Sequence, residues 1–430
     1  MYFDPVESLE RGRLEALQAE RLRGVGENCL RSDHYRKVLG EAGVGPEDIK
    51  TVDDVRRLPF TTKDDLRANY PGGLLCRPLK DFVRLHASSG TTGTPTAVFY
   101  TEKDLDTWAS LVARCMFATG MRDTDVFQNM SGYGLFTGGL GMHCGAEKLG
   151  CLTIPAGAGN TKRQVKLIRD FGVTSLHIIP SYALYFGAWL EKEGIDPADM
   201  PFKRALIGAE PHSEEIRRRV EDILKLKAYN SYGLSEMNGP GVAFECTEQC
   251  GMHLWEDAYL LEVVDPDSGE PVPDGEVGEL VLTTLAREGM PILRYRTRDL
   301  SRVLPGDCPC GRTHHRIDRI TGRADDMLIL KGVNIYPMQI EQTLMALPEV
   351  GQNYVIELYR EGIMDQMRIK VEVGDEHFVE DMRVLQALQK KIAARLRDEI
   401  LVTPRVELVQ RDSIPRGEGK AQRVVDLRED

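Results

Sequence analysis

The sequence predicts an α/β protein that ends in a smaller α+β domain, and three observations carry that prediction. Between about Asp125 and Gly233 short apolar runs alternate with helix-like stretches; from 255 to 303 apolar runs are separated by turns alone; after GRADD (322–326) helical and strand-like periodicities share the remaining chain. The first pattern reads as a largely parallel sheet with covering helices, and the second as antiparallel strands.

Taken in order, DFVRLH (81–86) and AVFYT (97–101) are strand-like, and between them lies HASSGTTGTPT (86–96). DVFQNM, GCLTIP, TSLHIIP, RALIGAEP and KAYNSYG follow as strand candidates, with Lys162–Phe171 and Ser213–Lys225 as helices. LLEVVD, GELVLTT and DLSRVL, broken by the turns PDSGE and VPDGE, make a β-rich subdomain at about 255–303. In the last part Ile340, Leu344 and Leu347 mark one helix, and Val384, Leu388, Ile392 and Leu396 a second. NYVIELY, MRIKVEV and RVELV are its strands, so the domains are expected at 1–323 and 324–430. Neither internal repeats nor low-complexity segments occur.

Composition narrows the function classes. A formal net charge of -12 with a pI near 5.4 argues against nucleic acid or an anionic membrane as the main partner, because both require clustered Lys and Arg. The first residues lack the apolar core of a secretory signal and no run of 18 apolar residues occurs, so a cytoplasmic protein is expected. Nine cysteines in 430 residues do not make a disulfide scaffold, and four of them crowd into two short segments, which favours a metal.

The loop at 86–96 offers the hydroxyls of Ser88, Ser89, Thr91, Thr92, Thr94 and Thr96 around Gly90 and Gly93. It joins strand to strand and lacks the GK[ST] of a Walker loop, so it is either a Ser/Thr-rich hairpin or a concavity of hydroxyls and backbone N–H groups suited to a polyphosphate. In NSYGLSE (230–236) an aromatic such as Tyr232 can cover a purine and Glu236 can hold Mg²⁺, or the stretch is a plain turn. Asp299 in YRTRDL can accept ribose hydroxyls or belong to a surface ion cluster. Arg323 in GRADDMLILKGVNIYP is a planar phosphate donor or part of a linker, and Lys420 in SIPRGEGKAQRVVD stands on a Gly-rich stretch.

In this order the five segments resemble the acyl-adenylate-forming superfamily over nearly the whole chain. YFDPVESL, SSGTTGTPT, SYGLSEMNGP, TLAREGMPILRYRTRDL and IPRGEGKAQRV are most similar to the phenylacetate-CoA ligase branch. The resemblance implies a large multi-subdomain N-terminal adenylate-forming domain and a smaller mobile C-terminal domain. It implies an ATP-dependent ligase that converts an aryl acid, phenylacetate foremost, to acyl-AMP with release of pyrophosphate and then to a CoA thioester. ATP, Mg²⁺ and CoA are the expected cofactors and co-substrates. Ser88, Ser89, Gly90, Thr91, Thr92, Gly93 and Thr94 fall on the phosphate loop. Gly208, Ala209, Glu210, Pro211, Tyr232, Gly233 and Ser235 fall on the adenine side, Asp299 on the ribose, and Tyr133, Phe136 and Gly138 in GYGLFTGGLG on the acyl pocket. Lys420, Glu236, Arg323 and Asp325 take the catalytic places, Asp325 as hinge. No nucleic acid or membrane partner is implied, and a homodimer remains open. An adenylating enzyme that loads a carrier protein or another nucleophile is the alternative, as is a non-catalytic, zinc-stabilised nucleotide-binding protein.

One feature stands outside the shared motifs. FECTEQCGMHLWED and DCPCGR supply Cys-X2-His plus Cys-X-Cys, four soft ligands for a closed structural Zn²⁺ site. Cys250, His253, Cys308 and Cys310 are the expected ligands, with Cys246 as alternate, because Gly251 and Gly311 permit the tight turns. His86 is read as either a substrate contact or a satisfied strand-end histidine, His314 and His315 as a surface turn in preference to spare metal ligands, and Trp255 as core or rim in preference to an aryl pocket.

Overall fold

A mixed sheet of nine strands, counted among the described residues, organises the first part of the molecule. The computed structural model describes residues 2–88, 95–330, 333–361, 364–374, 382–411, 413–414 and 423–428. The chain forms two units: Met1–Ile178, Met200–Ala209 and Tyr229–Ile320 make the first, and Ile179–Asp199, Glu210–Ala228 and Thr321–Asp430 the second.

In the first unit, β1 (Phe82–Ala87) and β2 (Ala97–Thr101) pair antiparallel on either side of the hydroxyl loop. The sheet strands are β3 (Val126–Asn129), β4 (Leu152–Ile154), β5 (Ser175–Ile178), β6 (Arg204–Gly208), β7 (Lys227–Leu234), β8 (Gly239–Glu245) and β9 (Met252–Leu254). Strands β3 to β7 fall on the expected apolar runs, and β8 and β9 add to them. Strands β3 to β6 pair in parallel and β7 to β9 antiparallel, so the sheet changes sense at β7. Then β10 (Tyr259–Val264), β11 (Gly278–Thr284) and β12 (Tyr295–Ser301) run as an antiparallel meander. The short β13 (Val303–Leu304) and β14 (Arg316–Ile317) return to the edge of the large sheet beside β9.

The helix expected over 162–171 is Thr161–Phe171, capped by Asn160 and ended by the left-handed Gly172. Helices Arg11–Cys29, Glu102–Ala118 and Thr137–Leu149 add to those anticipated. Trp108, Phe127, Phe244 and Trp255 lie in one continuous core, which makes Trp255 core and not rim. All nine cysteines are thiols, and among the described residues no helix is long and apolar enough to cross a membrane.

The second unit holds more than the tail of the chain. Helices Pro180–Lys192 and Glu214–Leu224 belong to it; Gly187 allows their close approach, since a Cβ there would strike Ile223. Glu341 of helix Pro337–Met345 accepts the Ser213 N–H at 3.0 Å and the Tyr354 hydroxyl at 2.9 Å. Strands Val350–Glu361 and Met364–Val373 pair antiparallel, flanked in parallel by Val424–Asp426 and Arg405–Val409 respectively. On helix Met382–Ile400 the buried stripe is Leu388, Ile392, Leu396 and Ile400; the expected Val384 is exposed, so the apolar face lies one turn later.

Candidate functional site

The base of the hydroxyl loop meets an acid that is distant in sequence. Ser88 Oγ and Thr96 Oγ1, at the ends of β1 and just before β2, lie 2.5 Å apart, and Thr96 Oγ1 donates to Glu236 Oε1 at 3.5 Å. Ser89, Gly90, Thr91, Thr92, Gly93, Thr94 and Lys420 lie outside the described residues. Glu236 is in a 3₁₀ turn, Ser235–Met237, directly after β7, so NSYGL is strand and the turn starts later than NSYGLSE suggested.

Several buried groups hold that turn. Arg287 donates from Nη1 to the Glu236 carbonyl at 2.9 Å and from Nη2 to the Phe99 carbonyl at 3.2 Å, while its guanidinium lies 5.1 Å from the Tyr100 ring centre. The Tyr259 and Tyr100 hydroxyls donate to the carbonyls of Met237 and Asn238. Burial pushes both phenols up, which keeps them protonated donors. Arg287 was not singled out from the sequence; an arginine directly after the apolar Leu285 and Ala286 in TLAREGMP was the available signal.

Across the site, the Tyr232 hydroxyl donates to Asp299 Oδ2 at 2.7 Å, which joins the residue expected at the adenine to the one expected at the ribose. Gly208 ends β6 against Ser231, where a Cβ would collide with the Ser231 hydroxyl, and Ala209 follows with a left-handed φ of 69°. Gly233 pairs with Pro240 across the β7–β8 ladder, where a Cβ would strike the Gly239 carbonyl, and the Ser235 hydroxyl lies 3.2 Å from that of Thr137. In the second unit, Glu210 Oε1 accepts the Ser181 N–H, with Pro211 next in the chain, and Arg323 forms a two-pronged pair with Asp325 at 2.9 and 2.8 Å.

The acyl stretch runs from Ser131 into helix Thr137–Leu149. Asn129, at the end of β3, ties it down: Oδ1 accepts from Ser131 N and Oγ, and Nδ2 donates to the Gly139 carbonyl at 2.7 Å and to the Tyr133 hydroxyl at 3.1 Å. His177 of β5 donates from Nδ1 to the same Oδ1 at 3.0 Å, and burial lowers its pKa to about 4, so the ring stays neutral. A Cβ at Gly139 would collide with the Gly132 carbonyl. Phe136 is exposed and Tyr133 half-buried; Gly138 has open space where a side chain would begin. Asn129 and His177 escaped the sequence reading, although polar residues inside the runs DVFQNM and TSLHIIP mark them.

The sulfur cluster gathers at the sheet edge. Cys246 follows β8, His253 is on β9, and Cys308 and Cys310 lie between β13 and β14. One ligand atom from each lies within 4.8 Å of all the others. Cys250, chosen from the sequence, lies beside that set: its Sγ is 3.5 Å from Cys308 Sγ and accepts Arg316 Nη1 at 3.0 Å, while Cys246, the alternate, completes the four. Cys246 and Cys308 sulfurs are 3.7 Å apart, close to the about 3.8 Å edge of a tetrahedron with Zn–S bonds of about 2.3 Å. His253 Nδ1 bonds the His314 carbonyl and leaves Nε2 facing Cys310 Sγ at 3.3 Å. Hydrogen bonds from Cys246 and His253 lower the Cys310 pKa toward the thiolate. The four residues therefore fit Zn²⁺. His314 is buried and bonded to Val6 and Leu254, so the expected surface turn applies to His315 alone, which pairs with Glu256.

Residues 52–285 match the family model "AMP-binding enzyme" and residues 332–428 the "AMP-binding enzyme C-terminal domain". The chain is 48% identical to phenylacetate-coenzyme A ligase of Thermus thermophilus, over 100% of both chains, and 43% identical to that of Escherichia coli K12, over 99% of this chain and 97% of the other. A crystal structure of 2-hydroxyisobutyryl-CoA ligase in the postadenylation state with an acyl-AMP superposes with a TM-score of 0.92 at 29% identity, covering 98% of this chain and 91% of that one.

Proposed function

Since the chain belongs to the AMP-binding enzyme family, we propose that it is an AMP-forming CoA ligase for aryl acids, with phenylacetate as first substrate. The acid attacks the α-phosphorus of ATP, pyrophosphate leaves, and CoA sulfur then displaces AMP from the acyl carbonyl. Both steps ask the protein mainly for placement and charge stabilisation. The observation that carries the reading is the Ser88–Thr96–Glu236 chain, which sets a carboxylate at the base of the hydroxyl loop.

Glu236 and the loop hydroxyls would hold Mg²⁺, which supplies charge neutralisation on the phosphates. Asp299, oriented by Tyr232, accepts ribose hydroxyls; Ser89 to Thr94 cradle the phosphates, and Gly208 to Pro211 border the adenine. Lys420 bridges carboxylate and α-phosphate, Arg323 serves the phosphate side, and Asp325 is the hinge between the two half-reactions. Tyr133, Phe136 and Gly138 face the acyl group. Cys246, His253, Cys308 and Cys310 would hold a structural Zn²⁺, with four protein ligands and no open position. We place the enzyme in the cytoplasm.

The test is pyrophosphate release from ATP with a panel of aryl acids, followed by thioester assay with and without CoA. Phenylacetate-dependent release and CoA-dependent thioester are expected. Release without thioester formation, or no release with any aryl acid, refutes the reading.

A further inference from the structure

One buried titratable side chain beside the site has no part in the chemistry above. His86, on β1 two residues before Ser88, is 1% exposed and stands edge-on to the rings of Tyr100 and Trp108. Its Nδ1 lies 3.0 Å from the Leu135 carbonyl, which also accepts the Ala87 N–H at 3.0 Å. A ring nitrogen that faces a carbonyl carries the proton, so Nε2 is a bare lone pair. No partner meets that atom among the described residues. Burial lowers the ring's pKa and keeps this neutral form. A buried acceptor without a partner is destabilising, and phenylalanine would fill the place without it. What histidine adds here is the bond to Leu135.

That bond reaches the acyl stretch at its crest. Asn129 anchors Ser131, Tyr133 and Gly139, whereas Leu135 is anchored to the end of β1. The side chains of Leu135 and Phe136 are exposed, so apolar packing does not hold the crest; hydrogen bonds to its carbonyl do. Two residues further on, just past the end of β1, Ser88 bonds Thr96, which bonds Glu236. One strand end thus links the crest to the base of the phosphate loop.

We propose that His86 is a positioning residue that couples the acyl stretch to the phosphate loop, so that the aryl acid and ATP each strengthen the binding of the other. The proposal rests on the adenylating function above. Linkage requires the effect to be reciprocal.

The experiment titrates α,β-methylene-ATP, which cannot release pyrophosphate, calorimetrically with and without saturating phenylacetate. It compares wild type with His86→Phe, His86→Asn and His86→Gln, each checked for its Tm. Asparagine places a donor where Nδ1 was, and glutamine places one where Nε2 was. Wild type is expected to bind the analogue about tenfold more tightly with phenylacetate present, within the usual range of coupling. His86→Phe and His86→Gln lose that factor while their affinity for the analogue alone stays within about twofold, and His86→Asn keeps it. Coupling retained in His86→Phe, or its loss in His86→Asn and His86→Gln alike, overturns the proposal. Should His86→Phe not fold, the Asn and Gln pair decides alone. Wild type that releases pyrophosphate but shows no coupling sinks this inference and leaves the function standing; wild type without release sinks both.

Discussion

Removal of the Tyr232 hydroxyl tests the nucleotide half of the site. It donates to Asp299 Oδ2 at 2.7 Å, and both residues are buried, at 7% and 9% exposure. A buried hydrogen bond to a charged group contributes about 1.5–3 kcal/mol net. Because Asp299 has further interactions, the lower end applies: about 1.5 kcal/mol, or about tenfold in an equilibrium constant. Tyr232→Phe leaves the ring and its face for the purine, and releases the carboxylate from one orientation. The KM for ATP should rise about tenfold, while the KM for phenylacetate changes less than about twofold. Pyrophosphate release at varied ATP and saturating acid measures the first, and the converse series the second. Combined with Asp299→Asn, the loss should be markedly less than additive. An unchanged KM for ATP alongside a lowered Tm would show that the bond serves folding alone and would refute the assignment of Asp299 to the ribose.

Further tests address the other parts of the molecule. Lys420→Ala should slow acyl-AMP formation by about 10²-fold and spare thioester formation from synthetic acyl-AMP and CoA; equal slowing of both contradicts its place at the α-phosphate. Thr91→Val with Thr92→Val should raise the KM for ATP several-fold with folding intact, and unchanged ATP kinetics would remove the loop from the phosphate site. Purified protein should contain zinc, and Cys246→Ser should lower both metal content and Tm with little effect on the acid preference of the folded enzyme. Metal-free protein of unaltered Tm counts against the site. Burial opposes the ionisation of Glu256, yet His315 and Arg11 hold its carboxyl at about 2, down from 4.5. Its folded pKa is thus the lower one, so its contribution is full above pH 4.5 and lost as pH falls toward 2. That difference corresponds to about 3 kcal/mol. In urea unfolding, Glu256→Gln should lose about this amount at pH 7 and show a flatter decline below pH 4.5; a decline as steep as wild type would assign the acid sensitivity to other groups.

Local pattern was enough for the α/β class, the hairpin around the hydroxyl loop, the strands from DVFQNM to KAYNSYG and those at LLEVVD and GELVLTT, because burial on both faces of a strand writes continuous apolar runs and turns need Gly, Pro and Asp. Helix Met382–Ile400 was legible to within one turn; Val384 lies outside its buried stripe because neighbours, not periodicity, decide where an apolar face begins. The site residues named from motifs were legible as types, since phosphate, ribose and thiophilic metal each demand a particular donor set. Which of them meet was a matter of tertiary structure. Spacing and turn glycines favoured Cys250, but β8, β9 and β14 bring the Cys246 sulfur into the set and leave Cys250 beside Arg316. Arg287 reaches the Glu236 carbonyl, His177 reaches Asn129 and His86 reaches the Leu135 carbonyl over 48 or more residues of chain, so no short window of sequence contains both ends of any of these contacts. Residue type and order determined the chemistry that this protein can perform; long-range strand pairing and burial alone decided which polar atoms meet, because a hydrogen bond is set by distance in space and not by separation along the chain.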